Sequence, residues 1–204
     1  MELSREHFEA LAFAERNLFH RDFCPYLDLK ALLPNNDSFS RGRFRELFTD
    51  FYQLRIGGLT DEFNDKYFEL LFSPPKTDGR IDVKFIFQEL SCIKNHQGSV
   101  TLPFSFVSKL VGMHDESSPI YDIHVSRFLG VKPPGPTRPM ALRIDWCLEF
   151  FRTATDDYVR WAKQEDVATI LQSLKQRDIA LTKCHDVRLL DFLIWKVGSK
   201  KLLQ

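Results

Sequence analysis

The chain has 204 residues, 44% of them hydrophobic and nineteen of them phenylalanine, which is enough apolar surface for a packed core and too much for a disordered chain. Its 28 Lys/Arg balance 28 Asp/Glu, so no global field draws it onto polyanions or membranes. Four scattered cysteines without a CxxC pair exclude a zinc ribbon or a thioredoxin-type redox site, and no stretch nears the ~20 apolar residues that span a bilayer.

Charge is not evenly spread. Residues 1–122 carry 19 acidic against 14 basic side chains, and 123–204 carry 9 against 14. A nucleic-acid face would therefore draw on the C-terminal half; segregation onto solvated helix faces gives the same numbers. Glu2, Arg5, Glu6 and Glu9 interrupt any apolar run at the start, so no secretory leader is expected and the cytoplasm is the expected location.

Helical periodicity dominates the pass along the chain. Phe8, Leu11, Ala12, Glu15 and Leu18 make one face of a helix over 5–19. Residues 21–40 read as irregular, broken by Pro25, Pro34, Asn35, Asn36 and Asp37. Ser40 is placed to cap a helix over 41–55 with a Phe44, Phe48, Phe51, Tyr52, Ile56 stripe, ended by Gly57-Gly58. Thr60, followed by Asp61 and Glu62, caps the next (Phe63, Tyr67, Phe68, Leu71), which Ser73-Pro74-Pro75 stops. A helix over 79–94 points Val83, Ile86, Phe87, Leu90 and Ile93 inward, and Cys92 reads with Cys147 as a small buried hydrophobe.

After a polar turn at 95–101 comes a short apolar helix, Leu102–Met113, then a turn at Ser117-Ser118-Pro119 and a helix from about 120 to 129 ended by Gly130. Pro133, Pro134, Pro136 and Pro139 make 131–139 the best linker, between possible lobes 1–130 and 140–204 of one helical domain. Three helices follow, over 139–163, 165–181 and 186–201. About eight helices and no convincing strand predict an all-α fold.

One stretch carries a candidate chemistry. Leu102-Pro103-Phe104-Ser105-Phe106-Val107-Ser108-Lys109, followed by Pro119-Ile120-Tyr121-Asp122-Ile123-His124-Val125-Ser126-Arg127-Phe128-Leu129-Gly130, resembles the core of the helix-hairpin-helix DNA glycosylase superfamily. That core reads Leu-Pro-Gly-x-Gly-x-Lys, a helix, then Pro-Val-Asp-Thr-His-Val with an Arg and a Leu-Gly behind it. The second half is the more specific, because Asp122, His124, Val125 and Arg127 keep its Asp-x-His-Val-x-Arg spacing. Phe104 and Phe106 stand where the pattern has glycines, Tyr121 is an extra residue, and either Ser108 or Lys109 takes the place of the hairpin lysine.

The resemblance implies a two-lobed helical fold that acts on a base flipped out of DNA. It implies Asp122 as the carboxylate that activates water and stabilises positive charge developing on the sugar. It implies Lys109 as the nearest candidate amine nucleophile, with water-using, monofunctional hydrolysis the expectation. Tyr121, His124, Arg127 and Ser108 become candidate DNA or substrate contacts. No metal, nucleotide or other cofactor is implied. Each residue also has an ordinary reading: Asp122 as a helix N-cap, His124 and Tyr121 as packed side chains, Lys109 as a snorkelling or Asp122-paired cation. The segments FSFVSKL, SPIYDIHV and RLLDFLIWKVGSKK also resemble uncharacterised bacterial proteins, some of them associated with mobile elements or phage defence. Two alternatives to catalysis stay open: a non-catalytic DNA-binding relative, and a helical domain that docks a protein partner.

Overall fold

The structure, a computed structural model, describes residues 2–54 and 59–203. Among them are ten α-helices and one hairpin of two-residue strands, so the all-α expectation holds. The chain divides into two compact units. One is discontinuous, residues 1–18 together with 104–204; the other is the insertion 19–103.

This division differs from the expected lobes. The proline-rich stretch 131–139 lies inside the discontinuous unit and joins two of its helices. Prolines stop a helix whether or not the next helix belongs to the same core, and here the last helix of the unit packs on the helices at both ends of the stretch. The charge asymmetry also dissolves. Counted by unit, the chain has 17 basic against 16 acidic residues in the discontinuous unit and 11 against 12 in the insertion.

The insertion holds α2 (His20–Leu32), α3 (Ser38–Phe51), α4 (Asp61–Phe72), β1 (Lys76–Thr77), β2 (Arg80–Ile81) and α5 (Val83–Ser91). Helix α2 overturns the irregular reading of 21–40. Pro25 sits inside it and removes one backbone donor, but Phe23, Tyr26 and Leu29 bury one face, and the Asp22 carboxylate accepts from the Phe19 amide to close its start. Helix α3 begins earlier than expected because Asp37, not Ser40, is the cap, accepting from the Ser40 amide at 2.9 Å. The expected stop at Ile56, Gly57 and Gly58 lies outside the described residues. Thr60 caps α4 as read, accepting from the Phe63 amide. Asp78 and Gly79, both at positive φ, turn the β1–β2 hairpin, and Asp82 then caps α5. That short hairpin is why α5 starts later than periodicity suggests. Cys92 is exposed at the end of α5, against expectation. The core is aromatic: Phe48 packs against Phe44, Tyr52, Tyr67 and Phe68 with ring centroids 4.6–5.9 Å apart.

The discontinuous unit holds α1 (Arg5–Arg16), α6 (Phe104–His114), α7 (Ile123–Leu129), α8 (Met140–Ala162), α9 (Glu165–Arg177), a 3-10 turn (Ile179–Lys183) and α10 (Asp186–Lys200). Helix α10 is its hub, packing on α1, α7, α8 and α9. Its buried residues Val187, Leu189, Leu190, Leu193, Ile194 and Val197 point to several sides, as a central helix requires. Trp161 and Tyr158 of α8 are fully buried. Arg177 ties α9 to α1, donating to the Glu15 and Leu18 carbonyls and pairing with the Glu15 carboxylate. No helix among the described residues is long and apolar enough to cross a membrane.

Candidate functional site around Asp122

The site is built from α6, the turn that follows it, and the first turn of α7, all within the discontinuous unit. Eight of the eleven residues of α6 are buried, including Lys109. The chain then runs through Ser118, Pro119, Ile120 and Tyr121, all buried, to Asp122 at the N-cap of α7. Gly130 closes the helix in the left-handed conformation at φ 64°, which a side chain would resist.

Asp122 is half-buried. Its Oδ1 accepts from two backbone amides, His124 and Val125, each at 2.8 Å. These two bonds meet donors that a helix start leaves orphaned, and they hold the carboxylate in one orientation. Oδ2 takes no hydrogen bond among the described residues. Capping therefore occupies one carboxylate oxygen and leaves the other outside the cap.

Lys109 is 8% exposed. Its ammonium donates to Ser105 Oγ at 2.8 Å and lies 5.7 Å from the Phe106 ring centroid. Burial pulls its pKa down to about 8, while the negative charge of Asp122 works in the opposite direction. The two residues named as catalytic candidates thus interact electrostatically, while the contacts of the ammonium are with Ser105 and the Phe106 ring.

The remaining candidates separate. Ser108 is fully buried, and its hydroxyl meets both the amide and the carbonyl of Tyr121, at 2.9 and 3.2 Å. Its observed work is to hold the segment before Asp122. Tyr121 stacks on Phe104, with centroids 4.2 Å apart, and meets Phe150 edge-on, so it sits in an aromatic cluster. Phe104 joins that cluster with Trp146 and Phe151. The first turn of α6, where the resemblance has glycines, therefore carries the packed Phe104 ring and the half-buried Phe106, and its backbone is not stripped for close approach. His124 is half-buried, its ring meeting Trp195 edge-on at 5.5 Å and its Nδ1 lying 3.2 Å from Arg127 Nη1. Arg127 and Trp195 are exposed beside it.

Sequence reading missed four residues that position this site. Gly198 of α10 lies so close to α7 that a Cβ there would stand 2.0 Å from the His124 carbonyl oxygen. Gly112 of α6 leaves room for the Arg188 guanidinium, 2.6 Å from where its Cβ would be. Arg188 and Asp191 are both buried on α10 and paired at 2.6 Å. The signal was present: two opposite charges three apart inside the apolar run Val187-Arg188-Leu189-Leu190-Asp191-Phe192-Leu193. No family model, curated protein or solved structure matches the chain.

Proposed function

We propose that this chain is a divergent DNA glycosylase of the helix-hairpin-helix kind, hydrolysing the N-glycosidic bond of a base extruded from DNA. The observation that carries the reading is the Asp122 carboxylate, with Oδ1 fixed by two amides and Oδ2 left to act. In the proposed reaction Oδ2 accepts a proton from water, the water oxygen bonds to the sugar carbon, and the carbon–nitrogen bond breaks with its electron pair leaving on the base. The carboxylate also faces the positive charge that develops on the sugar. The buried Lys109 ammonium, held by Ser105 Oγ, adds a positive charge that interacts with the carboxylate. An all-helical chain in two units agrees with the fold the resemblance implies.

The test is abasic-site formation on duplexes with normal and modified bases. Asp122→Asn keeps a cap acceptor and removes the base, so its activity should fall by ~100-fold or more. Unchanged activity in Asp122→Asn rejects the mechanism. Borohydride should trap no covalent adduct with DNA; an adduct that Lys109→Met abolishes would instead make the lysine the nucleophile. The second reading is a non-catalytic DNA-binding relative, in a setting such as phage defence. It is favoured by the packed Phe104 and the half-buried Phe106 in place of hairpin glycines, and binding without cleavage on every duplex would support it. No binding at low salt rejects both.

A further inference from the structure

We infer that Arg188 and Asp191, buried on α10, are positioning residues that set the Asp122 carboxylate by gripping the backbone that leads to it. The inference rests on the catalytic role proposed for Asp122.

Residues 115–122 form no helix, yet much of this connection is buried, so its backbone groups need partners from elsewhere. Those partners are side chains. Arg188 Nη2 donates to the Ser118 carbonyl at 2.9 Å and to the Gly112 carbonyl at 3.0 Å, tying the last turn of α6 to the connection. Asp191 Oδ1 accepts from the Ile120 amide at 3.3 Å. Ser108 accepts from the Tyr121 amide at 2.9 Å. Three successive handholds thus precede the cap, and two come from one charged pair, closed by Arg188 Nη1 on Asp191 Oδ2 at 2.6 Å. A buried pair of this kind is a weak source of stability, because desolvating two charges offsets their attraction. What an apolar pair of the same volume could not supply is direction: three bonds aimed at named backbone atoms.

The pair also faces the site electrostatically. Burial pushes the Asp191 carboxyl up to about 7; Arg188 pulls it back down and Asp122 adds to the rise. The groups facing it are Arg188 on α10, Asp122 at the start of α7 and Tyr158 on α8, whose fully buried hydroxyl has no hydrogen-bond partner among the described residues. Protonating Asp191 weakens its hold on Arg188 and Ile120, so the grip loosens as pH falls through about 7.

The experiment compares the whole protein with Asp191→Asn and with the double variant Arg188→Met/Asp191→Leu, which replaces the pair by apolar groups and so is chosen to stay folded. Amide hydrogen exchange is measured at His124 and Val125. Both variants should speed exchange there by ~10-fold or more while Leu171 and Leu174 of α9 stay within about 2-fold. Abasic-site formation should lose ~10–100-fold in kcat with DNA affinity nearly unchanged, and the fall in wild-type activity as pH drops through about 7 should be absent from Asp191→Asn. Unchanged exchange at His124 and Val125, or equal acceleration at all amides, overturns the inference. If the wild type forms no abasic sites, the catalytic reading of Asp122 falls by itself, and the exchange measurement still decides whether the pair positions the cap.

Discussion

Gly198→Ala is the sharpest perturbation of the α7–α10 contact. The new Cβ would stand 2.0 Å from the His124 carbonyl oxygen, 2.6 Å from its carbonyl carbon and 3.0 Å from its Cα. All three are backbone atoms, so no side-chain rotation relieves the clash. Restoring an ordinary contact of 3.4 Å requires the two helices to part by about 1.4 Å. Overpacking of this kind costs about 1–3 kcal/mol. Alanine recovers about 1 kcal/mol over glycine in helix propensity, so the net loss should be about 0–2 kcal/mol, toward the upper end because the clash is with backbone. The displacement falls on His124, two residues from Asp122, and a shift of about 1 Å at a reacting group can cost ~100-fold in rate. Urea unfolding reads the first effect, and abasic-site formation with His124 and Val125 amide exchange reads the second. A variant more stable than wild type, with those two amides unchanged, would mean that propensity outweighs the contact and that the close approach is not what sets α7.

Lys109→Met should stabilise the protein near neutral pH by up to about 3 kcal/mol, because the ammonium gives up its proton at about 8 in the fold and at about 10.5 in the open chain. In that window the unfolded chain binds more protons, so wild-type stability should rise with pH from about 8 to 10.5, and the rise should be absent from the variant; denaturation curves across the range check both. Burial raises the Cys147 thiol to about 12, so a thiol reagent should label exposed Cys92 in the native protein and Cys147 only after unfolding, with mass spectrometry identifying the site. Phe48→Ala opens the ring cluster of the insertion and should cost about 3–5 kcal/mol by chemical denaturation.

Local rules explain most of what was legible without coordinates. Phe44 and Phe48, Tyr67 and Phe68, and Ile86, Phe87 and Leu90 were read inward from 3.6-residue spacing, and all are buried. The Thr60 cap and the Gly130 stop follow from the same short-range chemistry. Asp122 as a cap was legible for that reason too. Where local rules failed, a competing effect won. Pro25 and the breakers after it hid α2, whose burial of Phe23, Tyr26 and Leu29 outweighs one lost hydrogen bond. The Asp78-Gly79 turn signal was present, but two-residue strands are too short to show a period.

The sequence by itself determined the helical fold, because amphipathic spacing and caps act over one or two turns and need no distant partner. It also set Asp122 at a helix start. Only the tertiary structure decided that the Lys109 ammonium is buried, that Ser108 and Tyr121 turn inward, and that Arg188, Asp191, Gly112 and Gly198 shape the site. These contacts join residues as many as 76 positions apart. Nothing in local spacing encodes which face of α10 meets α7, so the side chains that hold the connection before Asp122 emerge only when the helices pack.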